Sequence, residues 1–155
     1  ELSDVLEQCV NDGASISFML PFNREKSEPF WMKVAQSVSR GERIVLGTQN
    51  ALGVLVGTVQ LIIEQPENQP HRADVAKLLV HPSARRGGLA RELMNELESC
   101  ARQQGKTLLV LDTATGSGAE LFYHNCGWKK VGVIPDYAQM PDGTLTGTTL
   151  FYKTL

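Results

Sequence analysis

Arg85-Arg86-Gly87-Gly88-Leu89-Ala90 joins a run that ends in Leu78-Leu79-Val80 to a segment in which Leu89, Leu93, Met94, Leu97 and Ala101 recur at helical spacing. A glycine-rich turn between a strand and a helix, flanked by arginines, suits a phosphate. The helix start offers unpaired backbone N–H groups and the positive end of its dipole, and small residues let an anion approach the main chain. The turn lacks the Gly-Lys-Ser/Thr ending of a P-loop and does not spell Gly-x-Gly-x-x-Gly. ATP and NAD are therefore weak candidates, and the turn predicts another phosphate-bearing cofactor. The plainer alternative is an ordinary glycine turn with solvated arginines.

Reading outward from the turn, the signals describe one α/β unit. Asp74 to Val80 predicts a strand whose continuous apolar end suits the inside of a sheet. Gly105 stops the helix before Thr107-Leu108-Leu109-Val110-Leu111, so the strand-helix-strand order predicts a parallel pair with a right-handed crossover. Upstream, Ser3 or Asp4 can cap a first helix ending near Asp12-Gly13. A second helix is predicted from Ser27, with Pro29 in its first turn, Trp31, Val34 and Val38 along one side, and Gly41 at its end. Arg43 to Thr48 and Val54 to Ile63 read as a hairpin across Asn50-Ala51-Leu52-Gly53. Downstream, Gly116 and Gly118 precede a short helix through Leu121, Phe122 and Tyr123, and two final strands are predicted near Lys129 to Ile134 and Thr148 to Lys153.

Composition excludes several classes. With 155 residues and a formal charge of -2, the chain is long enough for one domain with a core and carries no general attraction for nucleic acid or acidic membranes. No apolar run spans a bilayer, and no signal-like succession opens the sequence, so the expectation is a cytoplasmic protein with neither nucleic-acid nor membrane partners. Cys9, Cys100 and Cys126 are scattered without metal spacing and read as structural thiols. His71, His81 and His124 have no nearby partners at metal spacing, so no metal is expected.

Several separated stretches, taken together, resemble the GCN5-related N-acetyltransferases, the GNAT family. They are Asp74-Val75-Ala76-Lys77-Leu78-Leu79-Val80, Arg85 to Arg91 with its Arg85-x-x-Gly88-x-Ala90 pattern, and Ala119-x-x-Phe122-Tyr123-x-x-x-Gly127-Trp128. Within the family, Asp74-Val75-Ala76-Lys77-Leu78, Leu111-Asp112-Thr113, Gly116-Ser117 and Pro141-Asp142-Gly143 to Leu155 resemble the tabtoxin-resistance acetyltransferases most. The resemblance implies a single domain over residues 1–155, with a mixed central sheet, a splayed parallel strand pair and helices on both faces. It also implies an edge strand ahead of the first helix. This sequence is nearly helical from Glu1, so the family's first strand is expected to be lacking.

The resemblance further implies acetyl-CoA as co-substrate. The main chain of Leu78, Leu79 and Val80 would pair with the pantetheine amides, and Arg85, Arg86, Gly87, Gly88, Leu89, Ala90 and Arg91 would surround the phosphates. The family often has Asn where this chain has Gly116, so Ser117 or the backbone would take over that contact. Direct acetyl transfer needs a base for the substrate ammonium, a donor for the developing oxyanion and an acid for the leaving thiolate. Asp74 sits where several members carry a glutamate base, and Asp112 ends the neighbouring strand. A free N–H near Leu79 would serve the oxyanion, and Tyr123 matches the family's tyrosine acid. The competing readings pair Asp74 with Lys77 or Arg72, make Asp112 a turn cap and leave Tyr123 in the core.

The implied acceptor is the amine of a small molecule or amino-acid-like compound. The first two helices, the Ser15 to Arg24 connection and the Asp136 to Gly143 region would border it, with Phe18, Trp31, Asp136 and Tyr137 as candidate walls. The alternatives are protein N-terminal or lysine acetylation and a non-catalytic acyl-CoA sensor. An exposed sheet edge would allow a homodimer.

Overall fold

A computed structural model describing residues 1–155 contains helices α1 (Leu2–Asn11), α2 (Arg24–Ser39), α3 (Leu89–Gln103) and α4 (Gly118–Asn125). Its strands are β1 (Arg43–Gln49), β2 (Leu55–Ile62), β3 (Arg72–Val80), β4 (Leu108–Ala114), β5 (Lys129–Gln139) and β6 (Leu145–Thr154). They form one sheet in the order β1-β2-β3-β4-β6-β5, in which only β3 and β4 run parallel. Helix α3 is the crossover between them. This is the expected α/β domain with a mixed sheet.

Side-chain alternation places a core on each face. Ile44 and Leu46 pack with the cluster that contains Leu93, Met94 and Leu97 of α3, whereas Val45 between them packs with Val5, Leu6, Trp31 and Val34 of α1 and α2. Met94 and Leu97 are fully buried, and each such side chain contributes about 1.5–3 kcal/mol. Helix α3 is thereby anchored along its whole length, which fixes the turn at its start.

Local differences from the sequence expectations have physical causes. Helix α2 starts at Arg24 rather than Ser27 because the Asn23 side chain accepts the Lys26 N–H at 3.3 Å and caps it. Pro29 thus lies inside the helix. It is tolerated there because Pro29 and Glu25 are on the exposed side, where solvent can take the carbonyl left without a donor. The buried stripe runs through Ser27, Trp31, Val34 and Ser37, and Val38 is exposed. A 3-10 turn at Pro82–Ala84, where the Ser83 N–H donates to His81 Nδ1 at 3.2 Å, separates β3 from the glycine turn. Strands β5 and β6 are longer than predicted because they pair with each other beyond β4, as far as Gln139 with Leu145.

The feature that positions the site is a fork. Strands β3 and β4 pair only over Arg72 to Asp74 with Leu108 to Val110, and then separate. In the same region the β2–β3 register shifts between Thr58 and Gln60, so that β3 carries one extra residue there. Lys77 occupies this bulge with φ +54, an uncommon backbone for a residue with a side chain.

Candidate active site

Beyond the fork the two strands leave a cleft of about 660 Å³, within the roughly 300–1,000 Å³ range of small-molecule sites. One wall is Val75 to Val80, the other is Asp112 to Ala114, and α4 closes the end through Ala119, Phe122 and Tyr123. The segment after α1, Asp12 to Ile16, and Met140 complete it.

The main chain of β3 decides what can bind along this edge. His81 N–H donates to Val56 O at 2.8 Å, and the Leu79 carbonyl stands 3.2 Å from where a Cβ on Gly57 would sit. The peptide groups of Leu79 and His81 therefore serve β2. By alternation, those of Leu78 and Val80 turn toward the cleft. The expected edge of Leu78, Leu79 and Val80 narrows to the first and last of the three. Leu79 instead buries its side chain in the core shared with α1.

At the turn, Gly88 is the N-cap of α3 with φ +86 and no side-chain cap, which leaves the first helical N–H groups free. Of the expected phosphate residues, Arg85 and Ala90 line the cleft, while Arg86, Gly87, Gly88, Leu89 and Arg91 lie outside its lining. Arg85 is tied to the end of α1 by an ion pair with Asp12, and its Nε donates to Val80 O at 3.1 Å. Burial is the largest single influence and works against its charge, but the hydrogen bonds and charges of Asp12 and Cys9 together outweigh it and raise the guanidinium pKa. Arg91 is turned to α4, donating to Asn125 O at 3.3 and 3.4 Å. Cys9 lines the cleft as a buried thiol whose pKa burial pushes up, the opposite of an activated nucleophile.

Gly88→Val is expected to raise the KM for acetyl-CoA and to lower stability by about 1–2 kcal/mol, because φ +86 disfavours a side chain whatever the space around it. Steady-state kinetics and a urea melt measure the two effects. An unchanged KM would mean that the turn does not hold the donor.

At the far end of the fork stand Asp112 and Tyr123. Asp112 is exposed to the cleft, and its carboxylate accepts the Thr148 hydroxyl at 2.6 Å. Tyr123 is 8 % exposed, packed 5.9 Å from Phe151 and 6.0 Å from Trp128 by ring centroids, and its hydroxyl makes no protein hydrogen bond. Burial raises its pKa, with smaller contributions from Cys126 and Asp112. It is therefore held as a phenol, a proton donor rather than a base. Asp74 does not join them. It sits where β3 still pairs with β4, opposite Val110, outside the cleft lining, with its carboxylate engaged by Arg72 and by Gln65 Nε2 at 3.1 Å.

Ser117 lines the cleft with a buried Oγ that lacks any partner, so a ligand group there would satisfy it. Gly116 adopts φ +77, and its N–H is taken by Glu120 at 2.6 Å, the main cause of that carboxylate's lowered pKa. Among the candidate acceptor walls, Trp31 is buried, Tyr137 is exposed, and neither these nor Asp136 lines the cleft. Lys77 does. As part of a strand its sequence position carried no sign of this, because only the bulge turns its side chain into the cleft.

A model of the acetyltransferase (GNAT) family matches residues 11–128. The chain belongs to that family. An N-acetyltransferase from Azospirillum brasilense, encoded in the hisH-hisA intergenic region, is 32% identical over 114 residues, which span 72% of this chain and 66% of that relative. Among solved structures, the ribosomal-protein-alanine N-acetyltransferase from Brucella melitensis superposes with a TM-score of 0.83 at 22% identity, covering 99% of this chain and 92% of that one. An acetyltransferase from Salmonella typhimurium, solved with acetyl-CoA, superposes at 0.79 with 18% identity over 99% and 86% of the two chains. Acetyl-CoA is thus the co-substrate of this acyltransferase family. The cleft-facing main chain of Leu78, the Val80 N–H, the uncapped start of α3 and the orphaned Ser117 hydroxyl fit it. No group of three or more metal-ligating side chains occurs, and no helix is long and apolar enough to cross a membrane.

Proposed function

We propose that this chain transfers the acetyl group of acetyl-CoA directly to the amine of a small molecule or amino-acid-like compound. The observation that carries this reading is the meeting of Asp112 and Tyr123 in one cleft at the fork, beside unpaired strand main chain. Asp112 takes the proton from the incoming ammonium, directly or through one water. An N–H of Leu78 or Val80 steadies the charge that develops on the thioester oxygen. The amine nitrogen bonds to the thioester carbon, Tyr123 returns a proton to the departing sulfur so that the C–S bond breaks to give a neutral thiol, and the tyrosinate recovers the second proton that the nitrogen sheds as the amide forms. The sequence likeness to the tabtoxin-resistance acetyltransferases supports an amino-acid-like acceptor.

Thiol release from acetyl-CoA across a panel of amino acids, polyamines and peptides tests this. Release that depends on a small amine supports it. Release with peptides alone would favour protein acetylation, and tight acetyl-CoA binding without turnover would make the chain a sensor.

Tyr123→Phe is expected to lower kcat by about tenfold to a hundredfold while leaving acetyl-CoA affinity near wild type, because a thiol of pKa near 8.5 needs only modest help to leave. Rapid-quench measurement of the transfer step reads this directly. A transfer rate equal to wild type would remove Tyr123 from the chemistry.

A further inference from the structure

Resting on that acetyl-transfer reading, we propose that Lys77 binds a carboxylate adjacent to the reacting amine, which makes the acceptor an α-amino acid or a close analogue. Lys77 and Arg85 are the two cationic side chains that line the cleft, and Arg85 is already neutralised by Asp12 at the phosphate end. Lys77 has no such partner. None of the chain's ion pairs includes it, and its ammonium donates to the neutral Ser17 hydroxyl at 3.1 Å.

The remaining surroundings of the ammonium are aromatic. It lies 5.8 Å from the ring centroid of Phe18 and 6.0 Å from that of Phe30, which partly replace the water removed by burial but supply no counter-charge. Burial is the leading cause that lowers its pKa, Arg43 lowers it further, and the field of Asp112 opposes both. Asp112 acts on it only through its field, and a half-buried cation with no anion in contact is costly unless a ligand completes the pair. A carboxylate is such a ligand.

The backbone supports the same assignment. Four residues other than glycine have positive φ, and two of them, Lys77 and Ser17, meet in this hydrogen bond. Strained residues of this kind persist where the surrounding structure holds them, and they concentrate at ligand clamps. Lys77 on the β3 bulge and Asp112 on β4 then read the two ends of one zwitterion: the carboxylate meets Lys77, and the ammonium meets Asp112.

The test compares kcat/KM of the purified chain for a set of L-amino acids with that for the matching carboxamides and decarboxylated amines. The wild type is expected to prefer the acids by about 10- to 100-fold, the range of a hydrogen bond to a charged group. Lys77→Met should bring this ratio close to one, and Lys77→Arg should retain part of it, with folding confirmed by retained acetyl-CoA binding. Equal turnover of acids and amides by the wild type would overturn the proposal without any variant being needed, as would a Lys77→Met enzyme that keeps the preference. Turnover of amines regardless of a carboxylate leaves the acetyl-transfer reading standing and removes only this one. No thiol release with any amine would remove both.

Discussion

Asp112→Asn is expected to lower kcat/KM at neutral pH by about 10²- to 10⁴-fold, the usual contribution of a positioned acid or base. The substitution is nearly isosteric, and an asparagine oxygen can still accept the Thr148 hydroxyl that Asp112 accepts at 2.6 Å, so the fold should be retained. What is lost is the group that takes the ammonium proton. An alkyl amine with a pKa of roughly 10 is then reactive only in its scarce neutral form, and that fraction rises tenfold for each pH unit below the pKa. The variant should therefore regain rate steeply on raising the pH from 7 to 9, by more than the wild type does. Asp74→Asn is the matched comparison. Its carboxylate is held by Arg72 and Gln65 outside the cleft, so the rate at saturating acetyl-CoA should change little. A wild-type rate and pH profile in the Asp112 variant would show that another group is the base, and a large loss in the Asp74 variant would point to that group.

Trp128→Ala should destabilise the protein by about 3–5 kcal/mol, the cost of removing a large buried aromatic. Trp128 is 2 % exposed, and its indole Nε1 has no hydrogen-bond partner, so the loss is one of packing alone. For a domain of this size the melting temperature should fall by roughly 2–4 °C per kcal/mol. The effect should reach the chemistry as well. The two rings lie 6.0 Å apart, so the indole packs against the side chain of the proposed acid, while the backbone N–H of residue 128, which donates to the Tyr123 carbonyl at 3.0 Å, is kept in the variant. Chemical denaturation beside single-turnover kinetics separates the two consequences. Leu121→Ala, at a position 65 % exposed on the same helix, should stay within about 0.5 kcal/mol. A Trp128→Ala variant as stable as that control would contradict the packing account.

The parts of the site legible in the sequence are those governed by neighbours along the chain. Gly88 with φ +86 starts α3, and Gly127 with φ +82 ends the turn before Trp128; both mark backbone that side chains resist, and both stand out in the sequence. Tyr123 is legible through the motif of its helix. Arg85 is different. The sequence assigns it to phosphate, but in the fold it meets Asp12, 73 positions away, and no local pattern announces that pair. The sequence favours Asp74, by its match to the family's glutamate base, over Asp112 at the end of the adjacent strand, and the fork separates the two. Pairing persists through Asp74 and Val110, and Asp112 lies two residues past that point on the strand that has already turned away.

By itself the sequence determined the order of strands and helices, the parallel pair joined by a helix and the glycine turn, and its resemblance to the family implied the acetyl-CoA class of ligand. Periodicity, glycine backbone preference and short motifs are local, and they survive without knowledge of the partner strands. Only the tertiary structure decided which side chains face the reaction. That choice depends on one extra residue at Lys77, which shifts the register of β3 against β2 and reverses the sidedness of everything after it. A bulge is fixed by hydrogen bonds to a strand distant in sequence. The unpaired cation that it turns into the cleft therefore becomes visible only once the sheet is assembled.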